Sequence, residues 1–221
     1  MNKLSMRRKK HKRIVYVIAV MTAATLVFTS AAGYYALRSA APRTPVASRT
    51  TEQVIADLQA RLSQYESSLE KSPDNLNLLV MIGNSYYQLG LAYFYSGDAE
   101  ASRANFAKAL QPYGRALELD PQDVDVRVDR AVAAFQSHNL DLAEQEFNKA
   151  LSLDPQHAQA YFNFGVFLHV GRDRPDEALK QWRQVIALNP ADNQQLVAAA
   201  RQWITQVEGE RPQPPPLQPQ N

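Results

Sequence analysis

Residues 119–155 read LDPQDVDVRVDRAVAAFQSHNLDLAEQEFNKALSLDP, and this stretch begins and ends on the same tripeptide. Leu119-Asp120-Pro121 returns as Leu153-Asp154-Pro155, and Leu188-Asn189-Pro190 follows, so the prolines stand 34 and then 35 residues apart. A fixed period of this size marks a stack of similar supersecondary units, each too small to bury its own apolar face. Between the prolines, apolar residues recur at spacings of three and four, which predicts two helices per unit. Aligned on the prolines, Ala131, Ala143, Phe147 and Ala150 match Gly165, Ala178, Trp182 and Val185. The single extra residue is assigned to the turn Gly171-Arg172-Asp173-Arg174.

The pattern has a small residue where the two helices meet, an aromatic on the second helix and a closing proline. In this it resembles the tetratricopeptide repeat. The resemblance implies an all-α solenoid of antiparallel helix pairs, whose small residues let backbones approach while the aromatic fills the gap to the next pair. Repeats are expected at about 74–121, 122–155 and 156–190.

The first unit departs from the period, because Pro73 to Pro121 is 48 residues, 14 more than the regular spacing. Each of its helices reads twice with a shift of seven. Gly83 and Tyr86 recur as Gly90 and Tyr93, and Phe106-Ala107-Lys108-Ala109-Leu110 recurs as Tyr113-Gly114-Arg115-Ala116-Leu117. Seven residues are close to two helical turns, so such an addition keeps the packed face in place. A lengthened hairpin, with helices near 75–95 and 98–119 meeting at Gly97, is therefore expected. The alternative is an ordinary repeat followed by a long loop. Pro112 is expected to kink the second helix.

Before the repeats, Thr50 and Gln53 form a capping-box pattern. Val54, Leu58, Leu62, Tyr65 and Leu69 then mark a leading amphipathic helix over 51–72. After Pro190, Leu196, Ala199, Ala200, Trp203, Ile204 and Val207 share one face, as in a helix over 192–208 that caps the last repeat. Residues 209–221 hold five prolines and no charge beyond Arg211, the composition of a disordered or polyproline tail.

The N-terminus has a different character. Seven basic residues and no acid occupy the first thirteen positions, and Ile14 to Leu37 carries no charge over 24 residues. A helix of that length covers the hydrocarbon core of a bilayer, about 30 Å. The reading is a transmembrane signal anchor at 14–37, with a basic cytoplasmic segment 1–13, a linker 38–50 and the repeat domain extracytoplasmic. The alternative is a cleaved signal peptide, leaving a secreted or periplasmic protein, since Ser30-Ala31-Ala32 and Ser39-Ala40-Ala41 offer small residues.

Residues 14–221 carry 17 basic and 22 acidic groups, a balance of −5, with no basic stripe for phosphate; nucleic acid is not an expected partner. The absence of cysteine excludes disulfides and thiolate chemistry. The histidines His11, His138, His157 and His169 show no metal-ligand spacing, and no phosphate-cradling glycine loop or serine elbow is present. No cofactor, no metal and no enzymatic activity are expected. Asp123/Asp125 and Glu144/Glu146 read as solvated faces and helix-start charges.

What the resemblance implies instead is a concave groove lined by the first helix of each repeat. Residue by residue, it implicates Val80, Asn84 and Tyr87 in the first unit; Val128, Val132 and Phe135 in the second; and Phe162, Val166 and His169 in the third. Some members of the family clamp a terminal carboxylate with Lys, Asn and Arg here. Only Asn84 fits that scheme, Val80 and Asp129 standing where Lys and Asn are wanted. The set is apolar with polar ends, which suits an apolar or amphipathic segment of a protein or peptide partner. The layout of anchor, leading helix and three repeats is similar to the extracytoplasmic repeat proteins of bacterial c-type cytochrome biogenesis, which hold an unfolded apocytochrome. A structural scaffold subunit of a secretion, pilus or cell-wall assembly is the alternative.

Overall fold

The computed structural model describes residues 50–188, 190–191 and 193–210. The expected anchor at 14–37, almost all of the linker and nearly all of the tail lie outside them. Among the described residues no helix is long and apolar enough to cross a membrane.

Among the described residues eight α-helices follow one another: α1 Thr51–Lys71, α2 Leu76–Ser96, α3 Ala99–Leu119, α4 Val124–Gln136, α5 Leu140–Leu153, α6 Ala158–Val166, α7 Pro175–Leu188 and α8 Gln194–Gly209. Short polar side chains start most of them, as expected where the first backbone N–H groups lack helical partners. Thr50 and Gln53 close a reciprocal capping box, Asn75 accepts from the Leu78 N–H at 3.1 Å, and Asp98 and Asp123 accept from Ala101 and Val126 at 2.9 Å.

The hairpins pack by placing a small residue of the first helix under a ring of the second. A Cβ built on Gly83 would lie 2.5 Å from the Tyr113 ring, and one on Gly90 would lie 2.7 Å from Phe106. These pairs are seven residues apart on both arms, in opposite directions, so the repeated heptads face each other across one antiparallel contact. Both arms are 21 residues long. Gly97 joins them at φ +87°, a left-handed conformation that glycine adopts without strain. Helix α3 runs unbroken through the buried Pro112.

Helix α1 lies antiparallel against α2. Leu58 and Leu62 share a cluster with Ile82, Leu89 and Ala92, while the Gln59 amide donates to the Tyr93 hydroxyl at 3.3 Å and the Tyr86 hydroxyl donates to Glu66 at 2.7 Å. A second, continuous core runs from Leu79 in α2 to Val207 in α8.

The extra residue of the third repeat is taken up earlier than the sequence suggested. It lies in a π-helical turn at Phe167–Gly171 that extends α6, in which the Arg172 N–H reaches back five residues to the Phe167 carbonyl at 3.2 Å. A wider turn absorbs one residue without ending the helix. Gly171 packs closely there, since a Cβ would lie 3.0 Å from the Phe135 ring. The following turn ties the second repeat to the third through ionic contacts: Arg172 donates to Asp141 and Glu144 at 2.6 and 2.9 Å, and Arg174 donates to Glu144 at 2.5 Å.

Candidate groove and its acidic face

Helices α2, α4 and α6, with the π-helical turn that extends α6, carry the nine residues the sequence assigns to a groove. Three of them, Val80, Asn84 and His169, are half-buried. The other six, Tyr87, Val128, Val132, Phe135, Phe162 and Val166, are buried at 0–6% exposure and belong to the continuous core. The open apolar lining expected from the repeat pattern is therefore corrected at these six positions. Tyr87 packs its ring 5.1 Å from Phe106, and Phe135 sets its edge 5.5 Å from Phe167. Phe162 is fully enclosed, and its carbonyl accepts from the Trp182 indole N–H at 3.2 Å. Asn84 also serves the hairpin interior, its side-chain oxygen accepting from the Tyr113 hydroxyl at 2.6 Å. His169 stands edge-on to Trp182 and Trp203 at 6.1 and 5.8 Å.

What remains accessible on these helices is more polar. Met81 and Gln88 are exposed beside half-buried Val80 and Asn84, and Asp125 is exposed on α4. Asp125 and Asp129, four residues apart, share a helical face with Asp123 at its start. His157 joins this group from the N-terminus of α6. Its Nδ1 accepts from the Ala160 N–H at 3.1 Å while Nε2 meets the Asp125 carboxylate at 3.1 Å. In the neutral ring this pairing puts the proton on Nε2, so the side chain caps one helix and reaches back to the preceding repeat.

The charges of this face perturb one another. Burial, with Asp125 and Asp123 nearby, pushes Asp129 up to about 7. The hydrogen bond from His157 lowers Asp125. Burial opposes the charging of His157, but its hydrogen bond to Asp125 and the charges of Asp125 and Asp154 outweigh that and raise its pKa. Asp129 and His157 do not belong to the groove positions that the repeat pattern marks. Their signal was the spacing Asp125-x-x-x-Asp129 together with a histidine two residues after Pro155, where the preceding repeat has Asp123 as its cap.

A pH dependence follows. A carboxylate whose folded pKa stands above its unfolded value, about 3.9, stabilises the fold at low pH and loses that contribution as pH rises through about 7. The raised His157 acts in the same direction, its contribution fading above its folded pKa. The domain is expected to melt at a higher temperature at pH 6 than at pH 8, and Asp129→Asn should flatten most of that difference. Thermal denaturation followed by circular dichroism checks it; an unchanged slope in the variant would assign the effect elsewhere.

Comparison with known proteins gives matches to two family models, both described as tetratricopeptide repeat, over residues 100–163 and 83–111. The type IV pilus assembly protein PilF of Pseudomonas aeruginosa is 34% identical over 86 residues, covering 39% of this chain and 31% of that protein. The photosystem I assembly protein Ycf3 of Acaryochloris marina is 30% identical over 89 residues, covering 39% of this chain and 54% of the relative. The matched stretch is thus about a third of the first relative's length and about half of the second's. Among solved structures, a crystal structure of MamA aligns at 15% identity and a TM-score of 0.49, covering 74% of this chain and 95% of that one. A repeat domain of RPAP3, also called Spaghetti, bound to an HSP90 peptide aligns at 23% identity and 0.39, covering 58% and 94%.

Proposed function

We propose that the chain is a tetratricopeptide-repeat protein–protein interaction module and a membrane-anchored assembly factor of the cell envelope. It holds a segment of another protein against the accessible face of α2, α4 and α6. The observation that carries this reading is what stays accessible on the first helices: Val80, Met81, Asn84 and Gln88 on α2 and Asp125 on α4, beside a floor closed by the buried rings of α2, α4 and α6. An amphipathic partner fits such a surface, its apolar side meeting Val80 and Met81 and its donors meeting the amides and the carboxylate. A role in assembly is supported by the pilus and photosystem relatives, whose names place them in the building of larger complexes. Membrane attachment and an extracytoplasmic domain rest on the uncharged stretch 14–37 behind its basic block.

The test is photocrosslinking in native membranes from a reactive side chain at Gln88, with Lys149 on α5 as a control site. Recovery of an envelope-assembly subunit from position 88 and not from 149 is the expected result. Recovery of an apocytochrome would turn the assignment to cytochrome maturation, and equal recovery from both sites would remove the face from consideration.

A further inference from the structure

The apolar stripe of α1 outruns the helix that covers it. Gln59 pairs with Tyr93 and Glu66 with Tyr86, which fixes an antiparallel register between α1 and α2. By that register Val54 stands level with the Gly97–Asp98 turn, where α2 has already ended, and it is 36% exposed. Tyr95, in the last turn of α2, is 53% exposed and packs edge-on to Phe94 at 5.7 Å between ring centres. The tip of the lengthened hairpin and the start of α1 thus form one end of the domain, with Val54 and Tyr95 exposed and Phe94 half-buried beside them.

The surface that the proposed anchor brings to this end is the bilayer. Thr50 lies here, and residues 38–50 lead back from it to the uncharged stretch 14–37. Thirteen residues taken as a random coil span roughly 20 Å on average, whereas the opposite end of α1 is about 30 Å farther along the helix. We infer that Val54, Phe94 and Tyr95 rest in the headgroup layer of the bilayer that residues 14–37 enter, an inference that depends on the anchor proposed above. Aromatic side chains favour that layer because one part of the ring is apolar while its edge or hydroxyl stays wet. The linker keeps the local concentration of lipid high, so three side chains suffice where a free domain would dissociate. Glu52, Asp98 and Glu100 at the same end give no attraction to anionic lipid, so zwitterionic lipid is the matching surface.

The chain has no cysteine, which permits single labels without background. Full-length protein carrying Tyr95→Cys or Glu118→Cys, each with an environment-sensitive fluorophore, is placed in phosphatidylcholine nanodiscs containing nitroxide lipid. Quenching several-fold stronger at 95 than at 118 is expected, and Val54→Ser with Phe94→Ser should bring position 95 down toward the level of 118. Quenching at 95 that survives those two substitutions would reflect tethering without contact and overturn the inference. A blue-shifted label at 95 that nitroxide does not quench would assign the tip to a protein neighbour and overturn it as well. Failure of the full chain to incorporate into nanodiscs would instead remove the anchor, an outcome distinct from an incorporated chain whose tip stays unquenched.

Discussion

Trp182→Ala is expected to lower the stability of the domain by about 3–5 kcal/mol, the range for removing a large ring from a packed core. The ring is fully buried on α7, stacks on Trp203 of α8 at 5.2 Å, and covers Gly165 so closely that a Cβ there would lie 2.4 Å from the indole nitrogen. Its loss opens a cavity between the third repeat and the cap and leaves the Phe162 carbonyl without its indole donor. For a domain of this size each kcal/mol shifts the melting temperature by about 2–4 °C, so a fall of roughly 6–20 °C should be seen by circular dichroism. A sign reversal separates this packing from simple loss of apolar area. Gly165→Ala should destabilise the wild-type protein, where the methyl meets the indole, and should be neutral or stabilising in the Trp182→Ala background. Destabilisation of equal size in both backgrounds would show that the close approach is not what holds glycine at 165.

Glu146→Ala is expected to be of similar severity for a different reason. Glu146 is buried on α5, its side chain 5% exposed, and its two oxygens accept from Arg127 at 2.7 Å and Arg130 at 2.5 Å. Arg127 also donates to the Pro121 carbonyl at 2.9 Å, so the guanidinium is held at the start of the second repeat. Removing the carboxylate leaves two partly buried cations side by side, and breaking a buried pair in this way costs about 3–5 kcal/mol. Replacing all three residues by Leu or Met of similar volume should return most of that loss, because the burden lies in the unpaired charge rather than in the missing attraction. Chemical denaturation of the single and triple variants measures it; a triple variant no more stable than Glu146→Ala would point to packing by the charged side chains instead.

The fold was legible wherever one residue type has few structural uses. Prolines end helices, so their spacing exposed the repeat. The Gly83/Gly90 and Phe106/Tyr113 pairs revealed the long hairpin, because a glycine under a ring has to be matched from both arms. The extra residue of the third repeat was visible in the count but not in its location. A turn of Gly, Arg and Asp looks like the natural place for an insertion, whereas the wider helical turn at Phe167–Gly171 depends on a contact with Phe135 from another repeat. The groove was the least legible part. The family pattern marks positions on the inner face, but whether Phe162 or Val132 is open or enclosed depends on how tightly successive repeats close on one another. The acidic face stayed unread because His157 acts as a helix cap through its ring nitrogen, a position usually filled by Asp, Asn, Ser or Thr.

The matched heptads of the first hairpin also bear on how this chain came to differ from a regular array. Because the two arms are continuous through Gly97, one contiguous block of fourteen residues spliced in at the turn lengthens both by seven at once, and every pairing below it stays in register. The base of the hairpin, bound to the rest of the stack, stays where it is under such a change, while the tip moves about 10 Å farther out.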